Sequence, residues 1–158
     1  MKLINAVIFF TLTLLLSGCG NNELGMKIKI TEITAPSAIP TIVTKANAGK
    51  LRIAVGGIPI KQSQPLTEAL ADAFNAKKPP AGDLTFAKLS VRNRTMEHPS
   101  RASAEIDATC IWIEAGGEAT GFEVTVRTHS IPLDNKSQLK DLRDQALAGM
   151  VRELAKAL

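Results

Sequence analysis

The chain has 158 residues, of which 19 are lysine or arginine and 15 are aspartate or glutamate, so its formal net charge at pH 7 is +4. The basic residues are spread along the chain and form no compact run, which argues against a nucleic acid as the partner. With no tyrosine and a single tryptophan, the chain has little material for an aromatic platform that would bind glycans.

The N-terminal segment has the layout of an export signal. Lys2 precedes an apolar run over residues 3–16, and small residues follow in Leu16-Ser17-Gly18-Cys19. A basic start, an apolar stretch of this length and small residues before a cleavage site are typical of a secretory signal peptide. A membrane-spanning helix needs about 20 apolar residues, so this run is too short to span a bilayer well.

The motif Leu16-Ser17-Gly18-Cys19 resembles the lipobox of bacterial lipoproteins. In that family the chain is cut before the cysteine, which carries a diacylglycerol and usually a fatty acyl group on its new amine. The resemblance implies a signal peptide at 1–18, lipidation of Cys19 and a tether at 19–26 before one domain at 27–158. Two or more acyl chains give stable membrane attachment.

The residue after Cys19 bears on localisation. In enteric-type bacteria an aspartate at that position retains lipoproteins in the inner membrane, so Gly20 implies the periplasmic face of the outer membrane. A Gram-positive source would instead place the domain outside the cytoplasmic membrane, and the sequence leaves both open.

Loss of residues 1–18 would leave 140 of the 158 residues, a usual size for one domain, and would lower the net charge from +4 to +3 because Lys2 is removed. Once Cys19 is lipidated, Cys110 is the only other cysteine. No internal disulfide could then form. The apolar core alone must hold the domain together.

Alternation of polar and apolar residues predicts the first strands, at residues 27–31 and 51–55. Residues 35–50 between them contain prolines and Gly49, and are predicted to be a loop or an irregular extended segment. A helix is predicted next, with Ser63 as its cap and Pro65 in its first turn. The residues of its apolar face are Leu66, Ala69, Leu70, Ala73 and Phe74.

Three further strands are predicted at residues 84–93, 104–113 and 122–130, with a hairpin at 114–121. Ala87, Leu89 and Val91 are assigned to one face of the first of them. Residues 137–158 carry the clearest helical stripe of the chain. Asp134 and Asn135, just before that helix, are its candidate caps.

This order of elements predicts an α+β fold, a two-layer sandwich. A mostly antiparallel sheet of four or five strands would carry two amphipathic helices on one face. The other face would be polar and open to water or to a partner.

The search for reactive groups indicates no enzyme, no metal site and no cofactor beyond the covalent lipid. Cys110 and His129 are the one conceivable nucleophile–base pair, but the strand alternation places Cys110 among apolar residues and His129 on the polar face. A buried cysteine behaves as a small apolar residue with a raised pKa. Zinc sites usually need about four ligands, and two histidines and one remaining thiol are too few to supply them without scattered carboxylates.

The densest basic stretch, residues 92–101, is predicted to be a loop between two strands. Binding residues are often carried on such loops, and arginine pairs well with phosphate or carboxylate. The alternative is a solvated, mobile loop without a ligand. The candidate anionic-ligand or partner-binding residues are Arg92, Arg94, His98 and Arg101. The second candidate recognition site is the polar face of the sheet, with residues Glu105, Asp107, Arg127 and His129.

The lipobox and the order of elements are similar in outline to small α+β accessory lipoproteins of envelope assembly and lipid transport, such as the lipopolysaccharide-assembly lipoprotein that plugs an outer-membrane barrel. The resemblance implies a lipid-anchored, non-enzymatic accessory subunit of an envelope assembly, transport or secretion complex. Its partners would be the membrane, an envelope protein and anionic lipid. The alternative is a carrier that binds a lipid or another amphiphile between helices and sheet.

Overall fold

The computed structural model describes residues 25–98 and 100–158. The signal peptide, Cys19 and most of the tether lie outside the described residues. In the described part of the chain, no helix is long and apolar enough to cross a membrane. The elements are β1 (Lys27–Ile33), β2 (Val43–Ala48), β3 (Leu51–Gly56), α1 (Ile60–Asn75), β4 (Gly82–Met96), β5 (Arg101–Glu114), β6 (Ala119–Arg127), β7 (Ile131–Pro132) and α2 (Ser137–Ala157).

Six strands form the sheet in the order β1-β6-β5-β4-β3-β2, and the short β7 pairs with β5. The neighbours are antiparallel except for β3 and β4, which are parallel because α1 connects them as a crossover. The predicted α+β class, the two helices and the mostly antiparallel sheet are confirmed. The predicted number of four or five strands is wrong, since this sheet has seven.

One of the extra strands, β2, lies within the segment that was predicted to be a loop. It is an edge strand and pairs with β3 through a tight turn in which Gly49 has a φ of +62°. A positive φ is easily adopted by glycine. The prolines upstream suggested a loop, but pairing with β3 gives residues 43–48 an extended conformation.

A β-bulge in β4 explains another difference from the sequence prediction. The pairing of β4 with β5 shifts between Phe86 and Lys88. One extra residue at this point reverses the alternation, so that Phe86 shares the buried face with Leu89. Regular alternation therefore does not run from Phe86 to Leu89, and the placement of Ala87 on the face of Leu89 and Val91 stays a prediction.

Helix α1 begins one turn earlier than predicted. The carbonyl of Pro59 accepts hydrogen bonds from the backbone N–H groups of Gln62 and Ser63, at 2.8 and 3.0 Å. Ser63 is therefore inside the helix, where its buried hydroxyl donates to the carbonyl of Ile60 at 3.2 Å. The predicted cap at Ser63 is wrong, and Pro65 lies beyond the first turn.

Helix α2 agrees with its prediction and has a capping box at its start. The side-chain oxygen of Asn135 accepts hydrogen bonds from the backbone N–H groups of Ser137 and Gln138, at 3.0 and 3.3 Å. The side-chain oxygen of Gln138 accepts one in return from the N–H of Asn135, at 3.1 Å. This reciprocal pair satisfies donors that the helix itself cannot.

Both helices pack against the same face of the sheet. Helix α1 contacts β2 and β3, while α2 contacts β5 and also β1, β4 and β6. The apolar core lies between the two layers. Its largest fully buried side chains are Phe74, Phe86, Leu51, Ile53, Leu70, Leu84, Ile106, Leu142, Met150, Leu154, Val55 and Val124.

The other face of the sheet is divided into two halves. Because β1 and β2 are opposite edges, the segment that joins them has to cross the sheet. A Cβ built on Gly121 would lie 2.9 Å from the Cα of Ala35, and one on Gly56 would lie 2.6 Å from the side chain of Pro40. Residues 34–42, which we call the strap, therefore cover one half of this face and leave the other half open.

Candidate functional site

The open half of the sheet carries rows of charged residues across four strands. Residues that are directly paired between antiparallel strands point to the same side. Across β1, β6, β5 and β4 the successive partners are Lys27/Arg127/Glu105/Arg92, Lys29/Thr125/Asp107/Ser90 and Thr31/Glu123/Thr109/Lys88. Arg94 lies two residues after Arg92 on β4 and shares its side. We call the six cations the basic face: Lys27, Lys29, Lys88, Arg92, Arg94 and Arg127.

At the centre of the basic face is a buried carboxylate, Glu105, whose side chain is 7% exposed. Its Oε2 lies 2.8 Å from Nε of Arg92. Its Oε1 lies 2.8 Å from Nε of Arg94 and 3.3 Å from Nε of Arg127. Three guanidinium groups therefore surround one carboxylate.

Asp107 extends this network along β5. Its Oδ2 lies 3.2 Å from Nη2 of Arg92, and its Oδ1 lies 3.0 Å from Nη2 of Arg127. Arg92 and Arg127 therefore each bridge both carboxylates. Arg127 also donates from Nη1 to the backbone carbonyl of Ile106 at 3.2 Å. These contacts hold two of the three arginines at several points.

The electrostatics of Glu105 favour its charged form. Burial of the carboxyl opposes ionisation, but the hydrogen bond from Arg92 and the positive charges of Arg127 and Arg94 outweigh it. The pKa of Glu105 therefore lies below its ordinary value. The same partnership with Glu105 raises the pKa of Arg92. The network is an ion-paired cluster with fixed charges near neutral pH.

Cations remain in excess on this half of the sheet. The six residues of the basic face are opposed by three carboxylates, those of Glu105, Asp107 and Glu123. The local excess of +3 equals the net charge of residues 19–158, so the positive and negative charges elsewhere in those residues balance. The basic face thus concentrates the net charge in one place.

The predicted candidate residues fall in different surroundings. Residues 92–101 form a β-hairpin instead of a loop, since β4 continues to Met96 and β5 begins at Arg101. Arg92 and Arg94 lie on the basic face. Arg101 is held by Ser130, whose hydroxyl accepts a hydrogen bond from its Nε at 3.3 Å. His98 is exposed in the turn between the two strands.

Cys110 and His129 are not brought together. Cys110 faces the helices from β5 and is buried, and burial raises its pKa to about 12. His129 follows β6, next to Thr128, whose N–H donates to the carbonyl of Ala104. Six residues of strand from Ala104 to Cys110 correspond to roughly 20 Å. Within the described residues, no group of three potential metal ligands is found.

A second surface lies on the helix side of the molecule. A groove of about 920 Å³ runs between α1 and α2, above the bulged strand β4. Leu89 and Val91 form its floor, Leu66 and Leu147 are among its apolar walls, and charged residues stand at one rim. The residues that line it are Ile58, Gln62, Pro65, Leu66, Ala69, Ala73, Leu89, Ser90, Val91, Lys140, Arg143, Asp144, Leu147 and Ala148.

The apolar surface continues from this groove to the start of α1. Ile58 lines the groove and also a shallower depression of about 430 Å³ beside it. There Ile42 and Ile60 are 70% and 61% exposed, next to Pro40 and Pro59. Isolated exposed apolar residues are ordinary, but a contiguous patch is a mark of an interaction site.

The sequence prediction found only part of these surfaces. It selected Arg92, Arg94 and Arg127 but not Lys27, Lys29 or Lys88. The alternation of β1 already placed both of its lysines on the polar side, which was the available signal. The groove was expected only in general terms, as a cavity between helices and sheet.

Comparison with known proteins finds no matching family model and no matching curated protein. A solved structure of a minor lipoprotein from Acinetobacter baumannii is similar with a TM-score of 0.41 and 11% sequence identity. The match covers 70% of this chain and 91% of that one. A similarity of this size is too low to transfer a function.

Proposed function

We propose that this protein is a lipid-anchored, non-enzymatic accessory subunit of a bacterial envelope assembly, transport or secretion complex. Cys19 is the anchor, and the folded domain binds an envelope protein through its helix side. The lipobox-like motif Leu16-Ser17-Gly18-Cys19 supports the anchor. The observation that carries the binding role is the apolar surface that extends from Ile42 and Ile60 into the groove between the helices.

The chemistry of the groove indicates what kind of protein segment it accepts. Its floor and walls are aliphatic, with the small side chains of Ala69, Ala73 and Ala148 leaving room between the helices. Lys140, Arg143 and Asp144 line one side. An amphipathic segment could bury its apolar face in the groove and keep its polar face at this charged rim.

The same groove favours a second candidate function, a carrier of a lipid or another amphiphile. A volume of about 920 Å³ falls within the range of small-molecule pockets, roughly 300–1,000 Å³. Its aliphatic lining suits an acyl chain, and the cations at its rim suit an anionic headgroup. The carrier differs from the accessory subunit in what occupies the groove.

Replacement of Cys19 by serine tests the anchor. The thiol accepts the diacylglycerol, so Cys19→Ser is expected to abolish lipidation and normal maturation. The measurement is the mass of the intact protein and its partition into the detergent phase, with Cys110→Ser as the matched control. The anchor is disproved if Cys19→Ser matures to the same length and mass as the unmodified chain and still partitions with detergent.

A photo-crosslinking amino acid in the groove tests the binding role and separates the two candidates. We place it at Ala69, which lines the groove, and at Glu68, an exposed neighbour outside it, as the control. An envelope protein captured from intact cells at 69 but not at 68 supports the accessory subunit. Capture of lipid alone at 69, confirmed by mass spectrometry, supports the carrier. Equal capture at both positions contradicts both candidates.

A further inference from the structure

We propose that the basic face docks on anionic phospholipid headgroups of the membrane in which the protein is anchored, so that the open half of the sheet faces the bilayer and the helix groove faces away. This inference rests on the proposed lipid anchor at Cys19. It goes beyond the anchor because it assigns an orientation and a headgroup chemistry to a particular surface of the domain.

The first support is the arrangement of the arginines. Each of the three contacts Glu105 through Nε, the inner nitrogen of its guanidinium group. Among the described residues, Arg94 is held through Nε alone, whereas Nη2 of Arg92 contacts Asp107 and both terminal nitrogens of Arg127 are bound to Asp107 or to backbone carbonyls. The side chains of Arg94 and Arg92 remain 70% and 51% exposed despite these contacts. Because Glu105 and Asp107 already orient the guanidinium groups, less side-chain freedom is lost when they bind an anion.

The chemistry of the exposed groups suits phosphate. Guanidinium groups pair with phosphate oxygens through charge-assisted hydrogen bonds, and ammonium groups contribute as point charges. Lys27, Lys29 and Lys88 flank the arginines on neighbouring strands. The four strands β1, β6, β5 and β4 spread these cations over about 15 Å, at roughly 4.8 Å per strand. A surface of this width without a deep pocket matches several headgroups of a bilayer better than one small ligand.

The length of the tether keeps the start of β1 close to the bilayer. Six residue steps separate Cys19 from Gly25, where the described structure begins. A fully extended chain covers at most about 3.6 Å per residue, so the domain starts within roughly 22 Å of the anchor. Lys27 is the first residue of β1 and belongs to the row of Arg127, Glu105 and Arg92. The chain thus enters the domain at the edge strand β1, whose first residue, Lys27, lies in the first row of the basic face.

Electrostatic range strengthens the geometric argument. In physiological salt, attraction between exposed charges is screened beyond about 8 Å, so a basic patch on a freely diffusing domain would seldom reach anionic lipid. The leaflet surface attracts basic segments that are held next to it. The short tether meets this condition, and we expect the basic face, where cations outnumber carboxylates by three, to be drawn to the membrane.

The test uses the full protein purified with its anchor and reconstituted into vesicles of phosphatidylcholine alone, or with 30% phosphatidylglycerol. A fluorophore is attached at Thr125→Cys, on the basic face, or at Glu68→Cys, on α1, as the control. Cys110 is buried and takes no label in the folded protein. Energy transfer to a headgroup-labelled lipid reports the distance of each position from the bilayer.

We expect energy transfer from position 125 to rise at least twofold when phosphatidylglycerol is present, and to fall back when salt is added. Transfer from position 68 should not rise. Retention of the protein on pure phosphatidylcholine vesicles reports the anchor separately. If the protein is retained there, but transfer from 125 is the same with and without phosphatidylglycerol, the orientation is disproved while the anchor stands. Loss of retention on phosphatidylcholine disproves the anchor.

Two quadruple variants check that the charges of the basic face are responsible. The first replaces Lys27, Lys29, Lys88 and Arg94 by glutamine, and leaves Arg92 and Arg127 to hold Glu105. The matched control replaces Lys50, Lys61, Lys77 and Lys136, all exposed and outside the basic face. The first variant should lose the response to phosphatidylglycerol and the control should keep it. Equal responses of the two variants to phosphatidylglycerol overturn the inference. It is also overturned if the first variant keeps its response to phosphatidylglycerol but no longer binds an acidic protein partner.

Discussion

The two faces of the sheet are built from alternate residues of the same strands, yet they are held in place by different forces. In β5, Ile106 and Glu105 are neighbours and both are buried. Ile106 is covered by the helix layer, which removes apolar surface from water. Glu105 is covered by three arginines, which replace water around its charge. A buried residue therefore does not always belong to the apolar core. We expect mutations on the two faces to lower the free energy of unfolding by different amounts.

The largest expected effect is on the helix-covered face. Leu142 of α2 is 2% exposed, so Leu142→Asp buries a charge without a partner and removes apolar contacts. We expect the free energy of unfolding to fall by about 4 kcal/mol, as measured by urea denaturation. Gln145→Asp, at an exposed position of the same helix, should change it by less than about 0.5 kcal/mol. Equal effects would show that α2 is not packed on the sheet.

The next effect is expected on the basic face. Glu105→Ala removes the carboxylate that Arg92, Arg94 and Arg127 share, and leaves their like charges opposed mainly by Asp107. Breaking a fully buried ion pair costs about 3–5 kcal/mol, and since these arginines are partly exposed we expect about 2 kcal/mol. The measurement is again urea denaturation. A loss as large as that of Leu142→Asp would mean that the basic face carries the fold as much as the core does.

Acid titration sharpens the comparison without a change in the core. The folded-state pKa of Glu105 is below its ordinary value, which is about 4.3 in an unfolded chain. The unfolded state therefore binds the proton first, and the contribution of Glu105 to stability is complete above about pH 5 and is lost as the pH falls below about 4.

Glu105→Gln isolates this contribution. The stability difference between the wild-type protein and this variant should shrink as the pH falls from 6 to 3. Glu153 also has a lowered pKa, because Arg152 and Lys156 bind it on α2. Part of the pH dependence of stability therefore comes from Glu153, and the variant Glu153→Gln measures that part separately. A Glu105→Gln curve parallel to that of the wild type at every pH would contradict the prediction.

The smallest effect is expected for an ion pair on the strapped half of the sheet. Arg52 and Asp83 face each other on β3 and β4, with side chains 72% and 39% exposed. Exposed pairs contribute little because water and salt screen them. Asp83→Ala should leave the midpoint of thermal unfolding nearly unchanged. A loss comparable to that of Glu105→Ala would show that burial does not distinguish these two ion pairs.

The sequence predictions were most accurate where the physical signal is local. The stripe of α2 and its cap at Asn135 depend on residues three or four positions apart, and both are found in the structure. The long strands β4, β5 and β6 were located from their alternation. Errors arose at the start of α1, at the bulge between Phe86 and Lys88 and at the edge strand β2, and pairing with a neighbouring strand decided the last two.

The candidate site shows the same division. Arg92, Glu105 and Arg127 each have an ordinary place in an alternating strand, and all three were named as candidates. Their sequence did not reveal that they meet around one carboxylate. It also did not separate from the cluster Arg101, which lies on the same side of β5 but is bonded to Ser130, or His98, which is exposed in the turn. Strand order and register made that selection.

By itself, the sequence determined the α+β class, the amphipathic faces of strands and helices and the resemblance of its N-terminus to an export signal, because each depends on short-range patterns of side chains. Only the tertiary structure decided the order of the seven strands, the crossing of the strap, the groove between the helices and the concentration of positive charge on half of one face. These features depend on pairings between residues far apart in the chain, such as Lys27 with Arg127, and a pattern in one strand does not specify its neighbour.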